Sequence, residues 1–318
     1  MTPVRFTVLI ALYNKAAFIR HTLQSALAQA HAADEILIVD DGSTDGSVDR
    51  IADLIGGPVR LVRQANAGPG PARNRGFAEA RHEWVALLDA DDVWLPDHLA
   101  TLADLIRRFP EADLVNTAFS RVAAGQQSVQ PVETTAPDEG FLVNYFETAG
   151  TQEAMWSSSV AIRRAAFAAS GGYGAYWPGE DVELWAKLAL HHPIAATRKV
   201  TALYTVETGG LMDQRSGMRF GVGEEPELQV LEAALADPRH AAKHAAIAGY
   251  RSRLLAQRVH QALYAGDPAR ARGFLALLEA PATVPAAQRL MSRMPGWLLR
   301  AGVAGYRLAK RLRPVARA

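Results

Sequence analysis

Three apolar runs in the first third of the chain do not alternate with polar residues. They are "FTVLIALY" (6–13), "EILIVDD" (35–41) and "WVALLDA" (84–90). Strands apolar on both faces belong in a parallel sheet flanked by helices. Helical spacing lies between them. "AAFIRHTLQSALAQ" (16–29) predicts one helix, and "TDGSVDRIADLI" (44–55) predicts another from a Thr44 or Asp45 cap. "VRLVRQ" (59–64) adds a strand, and "PARNRGFAEAR" (71–81) a helix with Pro71 near its first turn. A helix from about Pro96 to Phe109 and a strand "ADLVNTAF" (112–119) follow. This alternation predicts βαβ units and a mostly parallel sheet. Ligands of such sheets bind at the carboxyl ends of the strands. Tyr13, Asp40, Asp41 and the run Asp89 to Asp92 should therefore share one edge.

The pattern then weakens. Residues 120–150 read as a polar connection with one amphipathic helix near 139–148. "SSSVAIRR" (157–164) alternates like a strand. Residues 165–192 hold a short helix, a glycine-rich turn and a second helix from about Glu180. "VTALYTVE" (200–207) is a further strand, and the glycine-rich segment 208–226 reads as a loop. From Glu227 onward Ala, Leu and Arg keep helical period, with Asp267 as an N-cap before Pro268.

Composition narrows the function. The 318 residues are 49% hydrophobic and 21% charged, enough for one large domain or two smaller ones. A formal net charge of +1 argues against bulk nucleic-acid binding. The absence of Cys excludes disulfides and thiolate metal sites. The short run at 6–13 lacks a following cleavage site, so it is not read as a signal peptide. No stretch reaches the roughly 20 apolar residues of a membrane span. The expected location is the cytoplasm, with attachment to the inner face of the cytoplasmic membrane left open.

Four stretches can carry chemistry. "LLDADD" (87–92) ends a strand in Asp89, Asp91 and Asp92, carboxylates that repel one another. A divalent cation holding a nucleoside diphosphate would offset that repulsion, since Mg²⁺ binds through one or two carboxylates plus phosphates. An acidic, solvated turn is the plain alternative. "IVDDGSTDGS" (38–47) can accept hydrogen bonds from a ribose or base, or can simply cap a turn. "NAGPGPARNRG" (66–76) begins like a dinucleotide fingerprint, but Arg73 stands where the third glycine is required. Arg73 and Arg75 can instead meet a diphosphate or the acids. In "YWPGEDVELWAKL" (176–188), Glu180 and Asp181 open a helix whose dipole favours negative charge. Beside Trp177 and Trp185, one of them can also act as a general base with a raised pKa. The nine His form no H-E-x-x-H site, and Ser157 to Ser159 lack a nucleophile elbow.

In this order and spacing the stretches resemble the family 2 glycosyltransferases, inverting enzymes of GT-A fold. The matching segments are "VLIALYNKAAFI", "ILIVDDGSTDGS", "NAGPGPARNRG", "WVALLDADDVWLPDHL" and "SSSVAIRRAAFAASGGYGAYWPGEDVELWAKLA", across roughly residues 5–205. The resemblance implies a GT-A domain over 1–226, with a nucleotide-binding half at about 1–119 and an acceptor half at about 120–226. Residues 227–318 then form a helical appendage. It implies that Tyr13 and Asp41, with Asp40 nearby, contact the uracil and ribose of a UDP-sugar, and that Arg73 lies in the nucleotide site. It implies a D-x-D motif at Asp89 and Asp91, with Asp91 the direct ligand of Mn²⁺ or Mg²⁺ and Asp92 orienting the site. Asp181 would be the catalytic base and Glu180 the second candidate, with Trp156 bordering the acceptor. Lys187 stands where Arg is frequent, and the basic residue usual after Tyr204 is missing. Arg215 or Arg219 would have to replace it.

The implied function is transfer of a sugar to a hydroxyl of a glycan or lipid-linked glycan, in bacterial surface polysaccharide assembly. A sugar-nucleotide nucleotidyltransferase would want a glycine-rich loop after the first strand, where this chain has "YNKAAF". A non-catalytic nucleotide-sugar binding module would not need the Glu-Asp pair. The stretch 294–318 has no acidic residue and mixes Trp297, Leu298 and Tyr306 with Arg300, Arg307, Lys310, Arg311 and Arg313. It reads as an interfacial helix on an anionic membrane or as a packed terminal helix.

Overall fold

In a computed structural model describing residues 3–125, 140–149, 155–206, 220–280 and 283–300, the first apolar run becomes β1 (Phe6–Leu12). All of its residues except Ala11 are buried. There follow in chain order α1 (Ile19–Leu27), β2 (Glu35–Asp40), β3 (Val59–Arg63), α2 (Pro69–Glu79), β4 (Trp84–Leu87), β5 (Val93–Trp94) and α3 (His98–Arg108). Next come β6 (Leu114–Ala123), β7 (Phe141–Val143), α4 (Tyr145–Thr148), β8 (Val160–Arg163), α5 (Arg164–Ala169), α6 (Glu180–His191) and β9 (Ile194–Val206).

The strands form one sheet in the order β3-β2-β1-β4-β8-β6-β9-β5, with β7 also on β9. The first four are mutually parallel. β8 runs antiparallel to both β4 and β6, so β6 and its parallel partner β9 point the same way as β4. The carboxyl ends of β1, β2, β4, β6 and β9 thus share one edge with the amino end of β8. The sheet is mostly parallel and open, with helices packed on it, as in the GT-A fold. Its core runs through Phe6, Ile10, Ile36, Ile38, Trp84, Trp94, Leu99, Leu102 and Val115.

The glycines of the rejected fingerprint have a packing role. A Cβ on Gly76 would lie 2.2 Å from Leu9 Cδ1 of β1. A Cβ on Gly70 would lie 2.3 Å from the Gly174 carbonyl oxygen. Both let α2 sit close, on the sheet and on the turn that leads into α6.

Several expected elements differ. The helix expected over 44–55 is a 3₁₀ helix at Asp49–Leu54 only. The Asp45 carboxylate accepts the Ala16 and Ser47 amides, both at 2.9 Å, so it ties down a loop instead of capping a helix. The amphipathic helix expected near 139–148 is β7 followed by the four-residue α4, because 141–143 pair with β9. Ser157–Ser159 form a 3₁₀ turn before β8. β5, two residues long, was not legible and pairs antiparallel with β9.

By contact density the chain divides into Met1–Arg215 and Ser216–Ala318. The second unit is helical: α7 (Pro226–Ala236), α8 (His244–Tyr264), α9 (Pro268–Ala276) and α10 (Ala286–Met291). Leu231, Ile247, Leu255, Val259 and Phe274 are fully buried. As expected, Asp267 caps α9, accepting the Arg270 amide at 2.9 Å. No helix among the described residues is long and apolar enough to cross a membrane.

Candidate active site

The turn after β4 delivers three carboxylates, and each meets a different segment. Asp89 accepts Arg73 Nη2 of α2 at 2.8 Å. Asp91 is ion-paired with Lys15, which follows β1. Asp92 is fully buried and accepts Trp156 Nε1 at 2.9 Å, Ser158 Oγ at 2.6 Å and the Thr205 amide at 2.9 Å. Burial, with Asp89 and Asp91 close by, pushes the Asp92 carboxyl well above the usual range. Three donors on a buried acid make it a strut between this turn, the 156–158 segment and the end of β9. Asp89 and Asp91, though ion-paired, keep part of their side chains exposed.

Arg73 is the centre of the arrangement. Its Nη1 donates to Glu180 Oε1 of α6 at 3.1 Å while Nη2 holds Asp89. Its guanidinium also lies 5.3 Å from the centroid of the Tyr173 ring. The neighbouring Asn74 clamps the Tyr173 backbone, accepting its amide and donating to its carbonyl, both at 2.9 Å. Two adjacent side chains of α2 therefore fix the turn and the first residue of α6. Lys187, where Arg was expected, pairs with Glu183 at 2.7 Å. The Tyr173 hydroxyl is buried without a hydrogen-bond partner among the described residues, an orphan of the kind a bound ligand satisfies.

The two candidate bases differ in what they are free to do. Glu180 is 4% exposed and committed to Arg73. Burial pushes its carboxyl up to about 7; Arg73 opposes that and Asp181 adds to it. Asp181 is half-buried and accepts the Val182 amide at 2.8 Å. Its carboxyl is also raised, first by loss of solvent and further by Asp89, against the pull of Arg73. Trp185, expected beside this pair, is 1% exposed and belongs to the packed face of α6.

At the β1–β2 ends, Tyr13 is 41% exposed and open to a ligand. Asp40 accepts the Ser43 amide at 3.0 Å. Asp41 accepts Gln64 Nε2 at 2.7 Å and the amides of Ala67 at 2.9 Å and Gly68 at 2.8 Å. It thereby holds the loop before α2, a structural duty the motif alone did not reveal. Arg215 and Arg219 lie outside the described residues. Lys15, Ser158, Tyr173 and Tyr204 join the site without having been singled out. For Lys15 the signal was its position directly after the first strand.

Could these residues hold a metal? Among the described residues no group of three or more His, Asp or Glu is arranged for it. Asp89 and Asp91, with side chains 23% and 17% exposed, offer hard oxygens on one turn. Two such ligands suffice for Mg²⁺ or Mn²⁺ when phosphates complete the shell.

The family model for glycosyl transferase family 2 matches residues 7–168, about half of the chain. The chain belongs to glycosyl transferase family 2. An uncharacterized glycosyltransferase of Nostoc sp. is 44% identical over 115 residues, 35% of each chain. The succinoglycan biosynthesis protein ExoO of Rhizobium meliloti is 40% identical over 99 residues, 31% of this chain and 28% of that one. The chain thus matches about a third of the length of these curated relatives. Among solved structures, Staphylococcus aureus TarS 1–349 in complex with UDP-GlcNAc superposes with a TM-score of 0.66 at 19% identity, covering 91% of this chain and 84% of that one.

Removing Arg73 should leave Asp89 and Glu180 as uncompensated charges. Arg73→Met should lower unfolding free energy by roughly 3–5 kcal/mol near neutral pH, measured by urea denaturation. The loss should shrink at acid pH, where the carboxyls take up protons. Wild-type stability would show that the fork contributes nothing.

Proposed function

We propose that this family 2 glycosyltransferase moves a sugar from a UDP-sugar to a hydroxyl of a glycan or lipid-linked glycan, with inversion, during assembly of a bacterial surface polysaccharide. The carrying observation is the Arg73 fork. One guanidinium joins the acidic turn after β4 to the helix that bears Glu180 and Asp181, so a leaving-group site and a proton acceptor sit in fixed relation. ExoO is named for succinoglycan biosynthesis and TarS was solved with UDP-GlcNAc, which supports the substrate classes.

Asp181 is the base. It takes the acceptor's hydroxyl proton while that oxygen bonds to the anomeric carbon and the bond to the diphosphate oxygen breaks. The electron pair leaves on the diphosphate, where Arg73 and Lys15 offset its charge. Asp91 and Asp89 are the residues that would hold Mn²⁺ or Mg²⁺, a cation that stabilises the same charge when bound. Tyr13, Asp40 and Asp41 line the nucleoside end.

The helical unit supports peripheral membrane contact through 294–318. Leu290 is 63% exposed, Met294 37%, Trp297 67% and Leu298 41%. Residues 280–318 contain no acid, so this apolar group is flanked only by Arg and Lys, which suits anionic lipid. Residues 301–318 themselves lie outside the described part. Deletion of 294–318 should abolish co-sedimentation with anionic liposomes; equal binding with and without the segment would end the idea.

Asp181→Asn should lower transfer roughly 100-fold or more while UDP affinity survives. Because the folded environment raises the Asp181 carboxyl, the acid limb of the rate profile should lie above the ordinary Asp range of about 3.9. Rate falls as pH drops through that limb. Normal turnover by the variant would remove the base assignment. Asp91→Ala should abolish the part of UDP affinity that depends on Mn²⁺, and calorimetry showing unchanged affinity would remove the metal assignment.

A further inference from the structure

Three aromatic rings gather from the middle of β6, the segment before β8 and the end of β9. The Trp156 and Tyr204 centroids are 4.1 Å apart, Phe119 to Trp156 is 5.9 Å, and Phe119 to Tyr204 is 6.4 Å. All three are half-buried. Phe119 packs down on the main core and forms the base. Arg121 lies opposite Tyr204 in the β6–β9 register, with its guanidinium 5.8 Å from the ring centroid. Half-buried rings are ordinary, but hydrogen bonds fix Trp156 and the residue next to Tyr204. Trp156 is fixed through its indole N–H to Asp92 and through its backbone amide to Ser159 Oγ at 3.1 Å. The amide of Thr205, next to Tyr204, donates to the same Asp92. One buried acid therefore sets the position of two rings and, through the turn it belongs to, of Asp89 and Asp91.

We propose that Phe119, Trp156 and Tyr204 form a stacking platform for a hexopyranose ring of the acceptor, adjoining the acidic turn that carries Asp89 and Asp91. The assignment rests on the glycosyltransferase reading above. A pyranose has an apolar C–H face and a polar rim. It matches a site of aromatic faces bordered by carboxylates and a guanidinium. The sheet order separates the platform from the nucleoside end: β6 and β9 lie beyond β4 and β8, on the opposite side from β1 and β2. That places a sugar, and not the uracil, on these rings.

The test is saturation-transfer NMR on the full chain with UDP and MgCl₂. The probes are methyl β-D-glucopyranoside, methyl β-D-galactopyranoside and methyl α-D-mannopyranoside. At least one glycoside should bind the unmodified chain. Tyr204→Ala should weaken it roughly tenfold while UDP affinity by calorimetry stays within about twofold. Tyr204→Phe, which keeps the ring, should retain most of the binding and controls for folding. Failure of every glycoside to bind while UDP binds would overturn the platform. So would unchanged glycoside binding in Tyr204→Ala, or a collapse of UDP affinity in that variant, which would put the nucleoside there. If UDP does not bind but a glycoside does so through Tyr204, the platform stands and the donor reading falls.

Discussion

A single arginine between two acids organises this site. Arg73 enters from α2, reaches Asp89 after β4 with one nitrogen and Glu180 at the head of α6 with the other. A planar guanidinium that bridges two acids through separate nitrogens fixes distance and direction together, which a lysine could not do. Residues from three places in the sequence become one constellation through it. α2 can come close enough only because Gly76 and Gly70 present no side chain toward Leu9 and the Gly174 carbonyl. The backbone approach and the ion-pair fork are thus one design.

The same logic answers how so many carboxylates coexist at strand ends. Each has its own compensation, drawn from a distant segment: Asp89 from Arg73, Asp91 from Lys15, Asp92 from an indole, a hydroxyl and an amide, and Asp41 from Gln64 and two amides. The repulsion read from "LLDADD" is real, and the fold distributes it. Asp92 and Asp41 become struts, whereas Asp89 and Asp91 remain partly open. The Asp181 carboxyl is raised by burial, and among the described residues no Lys, Arg or His forms an ion pair with it.

Much of this was legible in the chain. The unbroken apolar runs marked β1, β2 and β4, and the carboxyl-end rule put Tyr13, Asp40, Asp41 and Asp89 to Asp92 on one edge. The Glu-Asp pair at the head of α6 was visible as well. What could not be read depends on pairing between distant segments. β5 and β7 are too short to show a period and exist because β9 offers them an edge. The sequence offers Thr44 or Asp45 as a helix cap, whereas Asp45 accepts the local Ser47 amide and the amide of Ala16, a partner that only tertiary structure supplies. The division of labour between Glu180 and Asp181 needed the direction of Arg73, and the ring cluster needed the β6–β9 register. Lys15 carried only a position, not a motif.

The central claim is a base and a leaving-group site on opposite sides of one anomeric carbon, in fixed relation. Its most direct test is the configuration of the first product formed from a UDP-sugar with an α linkage, followed by proton NMR during turnover. A single in-line displacement predicts the β anomer from the earliest time point. An α product would contradict the account, because one in-line displacement cannot retain the anomeric configuration.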